Sequence, residues 1–326
     1  YAMFNYSDKL ANGDGLPIDI KESIKYLKMA INKGLPNAMY KYGIMHDKGI
    51  HVSVNKKKAA KYYKMAIDKG FDDAIYDYAY LLYDIGTPES KDEAIKYFKM
   101  AIDKGNSYAM FTYATFLQKG DVVPLNKEEA AKYYRMSIDR GNVNAICNYA
   151  IMLEKGDGIP MNKEEAAKYY RMAIDRGESD AMYNYASMLD KGDEITTNKE
   201  EAIKYYKMAI DHGSSNAMHT YACILFTGDG VPENKEEAIK YFKMAIEKGN
   251  SSAMYDYANI LDDDDDEIYY NKEEAINYYK MASDYGNSEA MFNYATILFE
   301  GDGISINKAE AIKYYKMAIE KGCSDA

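Results

Sequence analysis

Residues 177–213 read GESDAMYNYASMLDKGDEITTNKEEAIKYYKMAIDHG, and the fold follows from the spacing inside them. Counted from Ala181 as zero, Ala181, Met182, Tyr185, Ala186, Met188 and Leu189 fall at offsets 0, 1, 4, 5, 7 and 8. At 100° per residue they fill one arc of about 160°, an amphipathic helix. Ser179 is placed to cap it and Gly192 to stop it in the left-handed conformation. A short polar link follows. Asn198, with Glu201 three residues on, then predicts the start of a second helix by a capping box. Glu200 and Glu201 sit at the positive end of its dipole and Lys207 toward the negative end, and Gly213 ends it. Neither helix buries its stripe alone, so the core must come from stacked neighbours.

The same text recurs along the whole chain. The Met of Tyr-Tyr-Lys-Met-Ala-Ile, or a near match, stands at Met29, Met65, Met100, Met136, Met172, Met208, Met244, Met281 and Met317. The landmark Ala-Met-aromatic-x-Tyr starts at Ala2 and keeps step through Ala290. Two markers in register show a repeat array, with units starting near residues 1, 37, 73, 108, 144, 180, 216, 252 and 289. The 326 residues are nine 36-residue units with two over. The repeat also accounts for 35 Tyr and 9 Phe in a chain without Trp. Offset 4 is always Tyr, the second helix carries a ring pair, and offset 2 is usually aromatic. Periodic rings of this kind are packing elements first.

The string Ala145-x-x-x-Tyr149-Ala150-x-x-Leu153-x-x-Gly156-x-Gly158-x-Pro160, then Asn162-Lys-Glu-Glu-Ala166, Tyr169-Tyr170, Ala173 and Gly177, resembles the Sel1-like repeat, a relative of the tetratricopeptide repeat. Tyr or Phe replaces the Trp common in that family's second helix, and the per-repeat cysteine pairs of its cysteine-rich members are missing. The resemblance implies an all-α, right-handed solenoid of about nine antiparallel helix pairs, with first helices on the concave side. It implies an adaptor or scaffold, known contexts including endoplasmic-reticulum degradation complexes, chitin synthase activation and bacterial envelope systems.

Asp and Glu outnumber Lys and Arg by 52 to 41, a formal charge of −11. This disfavours nucleic acid and anionic membranes and favours a basic protein or peptide partner. No run of 18 apolar residues and no leader is visible, so direct membrane insertion is not expected and a reducing, cytoplasmic setting is the simpler reading. Cys147, Cys223 and Cys323 form no disulfide framework. The chain opens inside a first helix and closes at Ala326 on the threshold of the next. That predicts either a piece of a longer array or end-to-end self-association through uncapped repeats.

On the first helix, offsets 2, 6, 9 and 10 point away from the apolar arc. The expected partner-binding wall is Tyr40, Tyr76, Tyr80, Tyr83, Phe111, Tyr183, His219, Tyr255 and Phe292, with offset 6 variable and so a source of specificity. The alternative is that the offset-2 rings pack between adjacent first helices. The run Asp262, Asp263, Asp264, Asp265 and Asp266 replaces a Gly-x-Gly turn. It is a candidate for a cation or a basic peptide, against the commoner reading of a solvated loop, and it lacks EF-hand spacing. The Gly-Asp-Gly loops read as turns. His219 and Cys223, four apart on a helix, can hold zinc, but two ligands do not make a site. No cofactor motif and no catalytic set stands out, because the repeat's departures bring no nucleophile, base and orienting group together.

Overall fold

In a computed structural model, residues 1–192, 198–264 and 268–323 are described, and among them helices are the only regular elements. They divide into two compact units, Tyr1–Asn162 and Lys163–Ala326. In the first the order is α1 (Ala2–Asn12), α2 (Ile20–Asn32), α3 (Pro36–Lys48), α4 (Lys56–Asp68), α5 (Ala74–Ile85), α6 (Pro88–Asp103), α7 (Ser107–Lys119), α8 (Lys127–Asp139) and α9 (Asn144–Lys155). In the second it is α10 (Lys163–Ile174), α11 (Ser179–Lys191), α12 (Lys199–Asp211), α13 (Ser215–Thr227), α14 (Lys235–Glu247), α15 (Ser251–Asp262), α16 (Lys272–Asp284), α17 (Ser288–Glu300) and α18 (Lys308–Glu320). Within each unit every helix packs against its neighbours in sequence, the signature of stacked helix pairs.

The start of α11 differs from expectation. Ser179 is its first helical residue and Glu178 stands at the N-cap without a side-chain bond. The capping role at the start of a first helix belongs instead to Asn106, Ser214, Asn250 and Asn287 in other repeats. Gly192 does close α11 at φ 65. Asn198 accepts the Glu201 backbone N–H at 3.1 Å. Its side-chain amide donates to the Glu201 carboxylate at 2.9 Å. The Asn198 backbone N–H is already taken by the Leu189 carbonyl at 3.1 Å, which explains why Glu201 reaches the amide. The same joint ties Asn126 to Leu117, Asn234 to Leu225, Asn271 to Leu261 and Asn307 to Leu298. One asparagine thus caps the second helix and pins it to the end of the first.

Ring seams hold the helix pairs within each unit. The offset-4 tyrosine meets the first ring of the second helix edge to face, as in Tyr42–Tyr62 at 4.7 Å and Tyr221–Tyr241 at 5.0 Å. A cation from the preceding repeat covers that tyrosine in several places, Lys207 lying 5.2 Å from the Tyr221 centroid. The second ring, Tyr63, Phe98, Tyr134, Tyr170, Tyr206 or Phe242, is fully buried. Around it the landmark alanines are completely buried, letting backbones approach closely.

The Gly-Asp-Gly loops do more than turn. Asp157 pairs with Lys127 at 2.6 Å, and Lys199 pairs with Asp229. Each joins one second helix to the loop of the next repeat. A Cβ on Gly158 would lie 2.3 Å from Lys127 Cβ, and its φ of 80 is left-handed, so both space and backbone require glycine.

Two stability outcomes follow. Tyr206→Ala should cost about 3–5 kcal/mol and Tyr206→Phe much less, read by urea unfolding. Gly158→Ala should cost about 1–3 kcal/mol through strain and the displaced Lys127, whereas Lys127→Ala, an exposed ion pair, should cost under about 1 kcal/mol.

Candidate functional site: the first-helix ring wall

The offset-2 side chains of the expected wall are each half-buried, packed on their own repeat and still partly exposed. These seven rest on the second ring behind them. Tyr40 lies 5.8 Å from Tyr63, Tyr76 6.0 Å from Phe98 and Phe111 5.9 Å from Tyr134. In the second unit Tyr183 lies 5.9 Å from Tyr206, His219 6.0 Å from Phe242, Tyr255 6.1 Å from Tyr279 and Phe292 5.7 Å from Tyr315.

Several also reach offset 3 of the following repeat. The Tyr40 hydroxyl donates to Asp77, Tyr76 meets Thr112 at 3.4 Å, and His219 Nε2 meets Asp256 Oδ2 at 2.6 Å. Burial, and then the bond to Asp77, raises the Tyr40 hydroxyl well above its ordinary range, and burial raises the Asp77 carboxyl. Wall residues are therefore inter-repeat fasteners as well as surface.

Tyr76, Tyr80 and Tyr83 form a continuous ladder on α5, with centroids 6.2 Å apart at each step. Tyr83 continues to Phe116 of the next repeat at 4.8 Å. Tyr80 is 45% exposed, the most open ring of the predicted wall. Carboxylates lie near these rings, Asp77 by Tyr76 and Asp121 by Tyr83, with Asp47 by Tyr63 of the preceding repeat.

Offset 6 varies for a reason composition does not show. Thr115 meets the Tyr134 hydroxyl at 3.1 Å, Asn259 accepts from Tyr279 at 2.7 Å, and Thr296 meets Tyr315 at 2.9 Å. Ser187 bonds Tyr206 likewise. Where the ring behind is Phe98 or Phe242, offset 6 is Tyr80 or Cys223. Four offset-6 residues thus answer a hydroxyl of the second helix, while Ile44, in the repeat of Tyr63, does not.

The acidic run also divides. Asp262 is the last residue of α15, half-buried, bonded to Lys272 at 2.7 Å and accepting from Tyr279 at 3.5 Å. Lys272 pairs with Asp302 as well. Asp262 is therefore a packing residue, not part of a solvated loop. Asp263 and Asp264 are exposed, and Asp265 and Asp266 lie outside the described residues.

The structure corrects one expectation about chemistry, since a thiol, an imidazole and a carboxylate do meet. Cys223 Sγ lies 3.6 Å from His219 Nε2 and 3.7 Å from Asp256 Oδ2. Sequence reading missed Asp256 because it belongs to the next repeat. Burial, and then Asp256, pushes the Cys223 thiol up to about 12, so it is protonated at neutral pH and is no activated nucleophile. Surface depressions along α6 (580 Å³, lined by Glu89, Asp92, Glu93, Lys96, Tyr97 and Met100) and α14 each border one helix. Neither gathers groups from two elements.

The Sel1 repeat family matches nine times, over residues 1–35, 36–71, 72–106, 107–142, 143–178, 179–214, 215–250, 251–287 and 288–323. The chain belongs to the Sel1 repeat family. The solved structures it resembles include c5321, a protective antigen of uropathogenic Escherichia coli with an SLR fold. That match has TM-score 0.71 and 20% identity, over 98% of this chain and 76% of that one. A Sel1 repeat protein of Oxalobacter formigenes matches at TM-score 0.62 and 26% identity, over 75% of this chain and 96% of that one. An immunity protein of Pseudomonas aeruginosa matches at TM-score 0.50 and 19% identity, over 67% and 82%. No curated protein matches the sequence. Sel1 repeat proteins are generally protein-interaction scaffolds, and the fold is typically non-catalytic. No helix among the described residues is long and apolar enough to cross a membrane.

Compensation at offset 6 is testable in a double-mutant cycle. Thr296→Val should cost about 1 kcal/mol by stranding the Tyr315 hydroxyl, and much of that loss should vanish in a Tyr315→Phe background.

Proposed function

We propose that this Sel1 repeat chain is a non-catalytic scaffold that grips a basic protein segment along the ring wall of its first helices. The supporting observation is the Tyr76–Tyr80–Tyr83 ladder, whose rings are anchored by the core on one side and open on the other. Rings held this way lose little freedom on binding and suit anchoring of a peptide. Asp47, Asp77 and Asp121 beside them, with the net charge of −11, favour Lys- and Arg-bearing partners. The acidic balance of the chain disfavours nucleic acid, whose phosphates require concentrated Lys and Arg.

The experiment is capture of peptides from a display library on the immobilised chain, repeated with Tyr76→Ala, Tyr80→Ala and Tyr83→Ala combined. Selected peptides should be basic, and the triple variant should lose at least about 30-fold in affinity with unchanged far-UV circular dichroism. Unchanged affinity rejects the wall.

A further inference from the structure

The cluster on α13 and α15 has a geometry of its own. His219 and Cys223 are one turn apart on α13, so their side chains lie on the same face. Asp256 comes from α15 of the next repeat. Three different donor atoms, Nε2, Sγ and Oδ2, converge within 4.8 Å of one another, and among the described residues this is the one group of three such ligands.

A Cys-His-Asp set invites comparison with a nucleophilic triad, and the connectivity excludes it. In a triad the imidazole is a bridge: one nitrogen faces the nucleophile and the other faces the carboxylate. Here sulfur and carboxylate both approach the same nitrogen, Nε2. That nitrogen cannot take the thiol proton while donating its own to Asp256. Three donors aimed at one point instead describe a coordination sphere.

The distances agree. Metal–ligand lengths of about 2.3 Å to sulfur and about 2.0–2.1 Å to nitrogen and oxygen, at tetrahedral angles, put sulfur about 3.5 Å from the other two donors. The observed separations are 3.6 and 3.7 Å. The remaining edge, His219 to Asp256, is a 2.6 Å hydrogen bond and must open to about 3.3 Å once its proton is displaced.

The backbones are already set for this. Met218, Tyr221 and Ala222 flank the α13 ligands, Met254 and Tyr257 flank Asp256, and all five are buried in one core cluster. Cys223 is also released from the duty its position performs elsewhere. The ring behind it is Phe242, which has no hydroxyl to satisfy, and the His219 ring rests on that same Phe242. In other repeats the set is broken: Tyr40 meets Asp77 with Ile44 at the third place, and the three corresponding positions one repeat earlier hold Tyr183, Ser187 and Thr220.

We propose that His219, Cys223 and Asp256 form a binding site for a divalent transition ion of the zinc class, with one coordination position open. His219 supplies its Nε2 lone pair, its remaining proton residing on Nδ1. Cys223 releases its thiol proton to solvent as the sulfur–metal bond forms, and Asp256 binds through Oδ2. The thiolate and the carboxylate neutralise the ion's two charges. A thiolate and an imidazole select zinc-like ions over magnesium or calcium, which take oxygen shells. The His219 and Asp256 side chains are 20% and 36% exposed, which leaves the fourth position to water or to a side chain brought by another protein. Such a position marks an exchangeable site, unlike a closed structural one.

The test uses the full chain, stripped of metal by chelator and titrated with Co²⁺ and then Zn²⁺. One Co²⁺ per chain should bind with a thiolate-to-cobalt charge-transfer band, and Zn²⁺ should displace it. The band should persist in Cys147→Ser/Cys323→Ser and disappear in Cys223→Ser. Asp256→Asn, which keeps the side chain's shape, and His219→Ala should weaken Zn²⁺ binding by about 100-fold or more, beyond what loss of an outer-shell partner costs. Far-UV circular dichroism checks that each variant is folded. The proposal is overturned if no charge-transfer band appears, if the band survives Cys223→Ser, or if Asp256→Asn binds Zn²⁺ like the parent. Binding at the exposed carboxylates of Asp263 and Asp264, which offer no sulfur, would give cobalt uptake without the band and so also count against it.

Discussion

Burial of the second ring of each Tyr-Tyr pair is the contact on which the rest of the molecule depends. Tyr63, Phe98, Tyr134, Tyr206 and Phe242 each sit behind a first-helix ring, among completely buried alanines. A helical hairpin of this length cannot hide such a stripe by itself, so neighbouring repeats must close over it. The alanines set how near the backbones come, and the ring fills the space that remains. Everything on the first-helix surface is then positioned by what lies beneath it.

That dependence explains why conserved-looking and variable positions within the repeat are not simply core and surface. The ring wall is half core: Tyr40 and Tyr76 fasten one repeat to the next while keeping an open edge. Offset 6 is half core too, since Thr115, Asn259 and Thr296 answer buried hydroxyls. A phenylalanine substituted for the tyrosine removes that demand and frees the outer position. The seventh repeat, with Phe242 behind Cys223, is where this freedom coincides with a histidine and an aspartate. A site can thus emerge from a packing array without any repeat abandoning its fold.

The joints between repeats show the same economy. Asn198 caps one helix with its side chain and holds the end of another with its backbone. Lys207, placed by the helix dipole in sequence terms, also covers the next repeat's Tyr221. Gly158 turns a loop and makes room for Lys127. Each such residue serves a local and a long-range requirement together, which is the local and global consistency that makes a sequence foldable.

Local order was legible from the residues alone. The helices, the left-handed stop at Gly192 and the cap at Asn198 rest on contacts within about four residues, where spacing is geometry. The period of 36 likewise named the repeat. What spacing could not show was the meeting of residues some 30–37 positions apart, because that depends on how far one hairpin is displaced and rotated against the next. The pairing of Asp157 with Lys127 and the arrival of Asp256 beside His219 and Cys223 belong to that class. One-dimensional periodicity determined what each helix buries. The stacking of hairpins decided which side chains meet.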